Sequence, residues 1–351
     1  MKFISVKSLF VFLSFSIFAC NQAKEISMDS SKPIGMVLDL NFSEILAGTN
    51  GGSGTMEIEY DSTQTVGESI VSDISLNLSA FYGSDPVIYN FSIISGPSSA
   101  VLQTSSISFS NTSTKILSIE REPDEDCLEE EIKVQAVRQS DSITQEIILK
   151  TTDDDYCMFV ARNWSRKDPA ASNPPGYNGN FKALYSEATD GLSAADLECA
   201  TEKNFKFSEY PGTAASYKAM LASHSPIRSM ASGWSWTPFG PSRRYVSKAE
   251  FSGTWRTVFG TGTSLPPKDF SGGSFTNSVS DIGYQIWTGM LSNWHYMDTN
   301  TCDSNTGKSW ENSDPGVSGS RGQTTTNSGA IYGINGDCST PANLICVQTV
   351  K

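Results

Sequence analysis

Few side chains in this 351-residue sequence are of the kinds that do chemistry. There are two histidines, His224 in a Ser-His-Ser-Pro run and His295 beside Trp294. A Ser-His-Asp relay would need a carboxylate to orient one of them. The sequence holds no GxSxG elbow, HExxH pair, Walker loop or GxGxxG in a strand–helix context. Paired carboxylates are everywhere, and their spacing in sequence carries no signal for glycoside cleavage. The chain is therefore expected not to be an enzyme. Two acidic runs stand out: Asp124, Glu125 and Asp126, then Asp153, Asp154 and Asp155. Calcium takes about six to eight oxygens from such clusters, and a solvated acidic loop has the same appearance.

A second set of residues suits binding. Trp294, Tyr296, Trp310, Arg321 and Tyr332 gather along one long loop-rich stretch. Tyr, Trp and Arg dominate interface hot spots because they bury large areas at little entropic cost. Trp287 is expected in the core. Trp234, Trp236, Arg243, Arg244 and Tyr245 form another aromatic–basic group, which Arg–Trp stacking inside the fold explains as well as a ligand does.

The seven cysteines set the compartment. Met1-Lys2 and Lys7 precede an apolar, Phe-rich run that ends in Ile17-Phe18-Ala19-Cys20. The run is of signal-peptide length and shorter than the roughly 20 residues of a membrane-spanning helix. An aliphatic residue, then a small one, directly before cysteine resembles the bacterial lipobox, so the mature chain is expected to begin at an acylated Cys20. An ordinary secretory signal is the alternative, and either exports the chain. The location expected is a lipid anchor in the bacterial membrane, at the outer membrane or cell surface. Six cysteines remain: Cys127, Cys157, Cys199, Cys302, Cys338 and Cys346. An even number outside the cytoplasm reads as disulfides, and spacing does not choose among the connectivities. No CxxC is present, so zinc is not expected.

Two halves must position these groups. Residues 21–157 carry 23 Asp and Glu against 7 Lys and Arg, a net charge of −16. Residues 158–351 carry 15 against 16, and they hold all seven tryptophans. So acidic a first half repels nucleic-acid phosphates. The expected layout is a signal over 1–19, a polar tether over 20–36, an acidic domain over 37–155 and a second domain over 156–351. Within the first domain, alternating runs at 56–60, 74–78, 87–94, 107–109, 115–119, 132–137 and 143–149 predict strands of a β-sandwich. In the second, 157–161 predicts a strand. Ser193-Ala194-Ala195-Asp196 predicts a helix start running to about 203. A second helix is predicted near 213–223, and 344–347 is a buried strand.

Family likenesses sharpen this. "ISFSNTSTKILSIE", an acidic turn, "EEEIKVQAV" and "ITQEIILKTTDDD" look like a Calx-beta module. That likeness implies an acidic, sometimes calcium-binding end formed here by Asp124, Asp126, Asp153 and Asp155. From 194 onward, "AADLEC", "YKAMLAS", "IWTGM", "TCDSNTGKSWENSDPGVSGSRGQ" and "DCSTPANLICVQ" follow in order. They resemble the C-terminal domain of spirochaete (leptospiral-type) lipoproteins, related to the collagen NC10/endostatin branch of the C-type-lectin-like fold. The resemblance implies an α+β C-type-lectin-like domain with disulfides Cys199–Cys346 and Cys302–Cys338. Cys127 and Cys157, both near the acidic end of the sandwich, are left as a third pair. The calcium triplets of sugar-binding lectins and the zinc-binding histidines of endostatin have no counterpart.

The function expected is a surface or envelope lipoprotein whose lectin-like domain binds or adheres to an extracellular protein or glycan. The alternative is a structural or antigenic lipoprotein without a dedicated ligand. Exposed contiguous aromatics in 292–330 would favour the first, and buried ones the second.

Overall fold

Period-two alternation builds the first half. The computed structural model describes residues 56–166, 176–228, 244–259, 277–291, 296–324 and 331–351. The signal, Cys20 and the tether lie outside them. Nine strands follow in order: β1 (Ile58–Tyr60), β2 (Thr65–Gly67), β3 (Val71–Leu78), β4 (Val87–Ser95), β5 (Ala100–Leu102), β6 (Ser106–Phe109), β7 (Lys115–Arg121), β8 (Glu131–Arg138) and β9 (Thr144–Thr152). They form two sheets, ordered β1-β3-β7-β5 and β2-β9-β8-β4-β6. Ile74, Leu76 and Leu78 point inward from β3, Leu117 and Ile119 from β7, and Ile147 and Leu149 from β9. Each fully buried aliphatic side chain contributes about 1.5–3 kcal/mol.

The same alternation has a chemical consequence at one end. Two positions beyond Ile119 it turns Arg121 inward, fully buried. Two beyond Val66 it buries Glu68, and two beyond Thr151 it buries Asp153 and then Asp155. The inward register of three strands thus ends in ions rather than hydrocarbon.

In the second half, β10 (Tyr156–Ala161) sits at the centre of a five-stranded sheet. Its neighbours are β14 (Tyr245–Lys248), which runs parallel, and β19 (Leu344–Gln348), which runs antiparallel. At the sheet's edges lie β11 (Tyr217–Ala219) and β15 (Trp255–Phe259). β12 (Ser223–His224) and β13 (Ile227–Arg228) pair as a short hairpin. A three-stranded sheet joins β16 (Gln285–Trp287), β17 (Ser318–Gln323) and β18 (Ile334–Asp337). Residues Ile58–Ser79 and Asp85–Lys351 make one unit.

Helix α1 (Gly191–Lys206) begins earlier than its sequence suggests. Asp190 is the N-cap: its carboxylate accepts from the Ser193 amide at 2.7 Å, and the Ser193 hydroxyl accepts from the Asp190 amide at 3.0 Å. Ser193 is thus the last residue of the capping box, at N3, and not its first. The buried face carries Glu198 and Glu202 among its apolar groups. Glu198 accepts from the Tyr177 and Tyr185 hydroxyls at 3.1 and 2.7 Å, and Glu202 from the Ser165 amide at 2.7 Å.

The helix predicted near 213–223 is absent. A 3-10 turn at Ala214–Ser216 leads into β11, whose Tyr217, Lys218 and Ala219 pair with Gln348, Val347 and Cys346. An edge of β19 was open, and filling it satisfies more backbone groups than one short helix would.

Three disulfides cross-link the protein: Cys127–Cys157, Cys199–Cys346 and Cys302–Cys338. The second ties α1 to β19. The first does not stay within the sandwich. Cys157 lies in β10, so the bond joins the turn after β7 to the central strand of the C-terminal sheet.

Candidate functional site

The acidic residues singled out in the sequence do converge. Carboxylate oxygens of Glu68, Asp153 and Asp155 lie within 4.8 Å of one another, as do those of Asp124, Asp126 and Asp153. Cations of the protein itself stand among them. The Arg121 guanidinium bonds Asp124 and lies 3.4 Å from Asp153. Arg244 reaches Asp155 at 2.5 Å, Glu68 at 3.5 Å and the Asp124 carbonyl at 2.5 Å. Lys351 donates to the Asp153 carbonyl. Backbone amides take further oxygens: Asp155 donates to Asp153 at 2.7 Å and Leu128 to Asp126 at 2.7 Å.

A calcium ion needs about six to eight oxygens around it. Here two guanidinium groups and several amides already use them, so the donor set fits an internal ion network rather than calcium. Burial pushes Asp153 up to about 7, with Glu68 and Asp155 adding to the rise. It pushes Asp155 up to about 6 against the pull of Arg244. Burial likewise lowers Lys351. Arg244 and Lys351 come from the C-terminal half, so the network and the Cys127–Cys157 bond hold the two halves at one place.

The predicted loop aromatics form no common surface among the described residues. Trp310 is fully buried, its indole N–H donating to the Ala222 carbonyl at 2.8 Å. It meets Trp287 edge-on at 5.7 Å. Arg321 is buried too, with its guanidinium 4.1 Å from the Trp287 ring centroid. It donates to the Asp337 and Thr340 carbonyls at 2.7 and 2.6 Å. Both are thus core groups, contrary to the binding role read for them. Glycine makes this burial feasible. A Cβ at Gly289, whose φ is +62°, would stand 2.7 Å from the Trp310 ring, and one at Gly319 2.5 Å from Trp287. Tyr296 is partly buried and Tyr332 is 37% exposed. Trp294, His295, Trp234, Trp236 and Arg243 lie outside the described residues.

His224 has acquired a serine and a carboxylate. Its Nδ1 lies 3.1 Å from Thr301 Oγ1, 3.2 Å from Ser309 Oγ and 3.7 Å from Asp303 Oδ1. A catalytic relay puts the serine and the carboxylate on opposite ring nitrogens. Here all three oxygens face the same nitrogen, and Ser309 is fully buried. The group is built to brace the loop beside Cys302, not to attack a substrate.

An open pocket lies elsewhere. A pocket of about 330 Å³ sits between the end of α1 and the β14–β15 hairpin. Phe159, from the centre of the sheet, stacks on Phe207 with centroids 4.1 Å apart, and Tyr210 packs against Phe207 at 5.3 Å. Phe207 caps α1, its amide bonding the Lys203 carbonyl at 3.1 Å. On the other side, the hairpin turn closes through the Ala249 amide on the Thr254 carbonyl at 2.9 Å, and Gly253 adopts φ +69°. Asp281 holds the turn by accepting from the Ser252 and Phe251 amides at 2.9 and 3.2 Å. Burial raises that carboxyl, and the two amides outweigh it and hold it low. The turn leaves the Phe251 side chain 79% exposed beside the pocket.

Charged groups line this rim. Glu250 is tied to Arg162 at 2.5 Å. Lys206 stands 5.3 Å from the Trp164 ring and Lys248 5.8 Å from the Trp255 ring. Lys206, Lys248 and Glu209 make no salt bridge among the described residues. Sequence reasoning missed this pocket, because Phe159, Phe207 and Phe251 lie more than 40 residues apart along the chain and only the fold brings them together.

No protein-family model matches the chain, and no curated protein matches it. Solved structures resemble it weakly. The Escherichia coli chaperone DraB is 13% identical, with 27% of this chain and 53% of that chain covered at a TM-score of 0.22. WR4, a Caenorhabditis elegans MSP family member, is 13% identical over 28% of this chain and 96% of that one, at 0.21. A FixG-related protein from Vibrio parahaemolyticus is 15% identical over 28% and 94%, at 0.22. Among the described residues no helix is long and apolar enough to cross a membrane. The chain is a β-rich, disulfide-bonded protein with a sandwich at its N-terminal side.

Proposed function

We propose that this is an exported envelope lipoprotein, tethered through an acylated Cys20, whose C-terminal half recognises a ligand in the aromatic pocket beside Phe251. The observation that carries the reading is the exposure of Phe251 on a turn clamped by Asp281, next to a preformed pocket. Phe251 is the most exposed large hydrophobic among the described residues, and it lines the pocket together with Phe207 and Tyr210, the mix of apolar wall and few polar groups that ligand sites use. Three disulfides in the described chain support an oxidising compartment. The C-type-lectin-like reading of the C-terminal half is supported by the Cys199–Cys346 bond between α1 and the last strand and by the Cys302–Cys338 bond in the long-loop region.

Two experiments test this. Cys20→Ala should move the chain from the detergent phase to the aqueous phase on partitioning, and unchanged partitioning rejects the anchor. In a screen of the mature chain against matrix proteins and glycans, Phe251→Ala should weaken whatever binding is found. One observation favours the structural or antigenic alternative: Trp310 and Arg321 are spent in the core. A screen that finds no ligand supports that alternative.

A further inference from the structure

We propose that the pocket takes a carboxylated saccharide residue, its ring on the aromatic wall and its carboxylate between Lys206 and Lys248. The inference rests on the recognition reading above and names the ligand class.

Three features of the pocket select that class together. The first is size. At about 330 Å³ the pocket is at the small end of ligand sites, which run to about 300–1,000 Å³. It suits one ring, not a folded peptide segment. The second is the apolar surface. Phe207 and Phe251 line the pocket, and the C–H groups of a sugar pack well on aromatic rings. An enclosed apolar tunnel, which an acyl chain would need, is not what the charged rim provides.

The third feature is the state of the charges. Arg162 and Glu250 satisfy each other across 2.5 Å. Lys206 and Lys248 have tryptophan rings for company and no carboxylate at ion-pair distance among the described residues. They reach the pocket from opposite elements, the last turn of α1 and the end of β14. Glu209, on the same rim, has no cation at that distance among the described residues either. Two unpaired ammonium groups call for an anion. An unpaired carboxylate beside them calls for hydroxyl donors. A ligand with both groups on one ring-sized body is a sugar acid. A neutral sugar leaves the lysines unused, and a hydrocarbon acid leaves Glu209 facing nothing.

The test titrates the mature chain with glucuronate, galacturonate and N-acetylneuraminate, against glucose, galactose and N-acetylphenylalanine amide, following tryptophan fluorescence. A hydrogen bond to a charged group is worth about tenfold or more in affinity. At least one sugar acid should therefore bind about tenfold more tightly than its neutral counterpart. Lys206→Gln with Lys248→Gln should remove that preference and leave the circular dichroism and melting temperature unchanged. Phe251→Ala should weaken the acid and the neutral sugar alike. Equal binding of acid and neutral sugars, a preference that survives the double lysine variant, or tighter binding of the phenylalanine amide would overturn the proposal. If no sugar acid binds while another ligand of the mature chain is lost in Phe251→Ala, the class is wrong and the recognition pocket stands. If a ligand binds and Phe251→Ala does not affect it, the pocket reading falls as well.

Discussion

The junction between the halves and the pocket beside Phe251 both contain carboxylates, cations and aromatic rings. At the junction Glu68, Arg121, Asp153 and Asp155 are all buried, and nearly every charge has a partner. At the pocket Lys206, Glu209, Lys248 and Phe251 are exposed, and the lysines rest on rings. The same residue types thus serve cohesion in one place and availability in the other. What separates them is whether an opposite charge is within reach when water leaves. A buried charge must be paired or it ruins the fold, whereas an exposed unpaired charge costs little and stays available.

The sharpest way to break this contrast is Arg121→Met. It leaves Asp124 and Asp153 without their guanidinium, and stranding a buried partner costs about 3–5 kcal/mol. Denaturant unfolding should show a loss of that size. A loss below about 1 kcal/mol would mean that water reaches the junction.

Next in size is removal of the junction disulfide by Cys127→Ser with Cys157→Ser. The bond closes a span of 30 residues, and the chain-entropy account puts such a loop at about 3–4 kcal/mol. The same measurement reads it.

An effect of opposite sign comes from pH. Asp153 and Asp155 titrate near 7 and 6 in the folded chain, above the roughly 3.9 of an unfolded aspartate. Between about pH 4 and 7 the folded state therefore binds more protons than the unfolded one, so stability falls as pH rises through that window. The melting temperature should be higher at pH 5 than at pH 8, and Asp153→Asn should flatten the slope. A slope of the other sign would mean the junction is held as fully ionised pairs.

The smallest effect belongs to the pocket. Lys206→Gln with Lys248→Gln should change unfolding by no more than about 0.5 kcal/mol, as exposed substitutions do. A larger loss would make these lysines part of the scaffold.

Legibility in the sequence followed the range of the interactions. The seven alternating segments of the sandwich were readable because period two is local, and only the three-residue strands β2 and β5 were missed. Helix α1 was readable, but its start was not, since the capping box has its residue types swapped, with the acid at the N-cap and the serine at N3. The stretch from Tyr217 to Ala219 was misread because its partner, β19, lies more than 120 residues away. Trp310 and Arg321 look like binding residues by type. Their burial depends on glycines at 289 and 319 whose role is visible only once the layers are stacked. The acidic convergence was legible, while Arg121, Arg244 and Lys351, which neutralise it, were not.

The Cys127–Cys157 bond also governs how the chain would answer a pull. Tension applied between the start of the chain and its C-terminal half passes from Cys127 directly to Cys157. β8 and β9, which lie between them in sequence, sit inside the closed loop, so they cannot be drawn out even after their ladders with β4 and β2 part. At about 3.3–3.6 Å per extended residue, the bond withholds roughly 100 Å of contour length. Under shear the oxidised protein would therefore extend less than the reduced one by about that length, and reduction would release it in full.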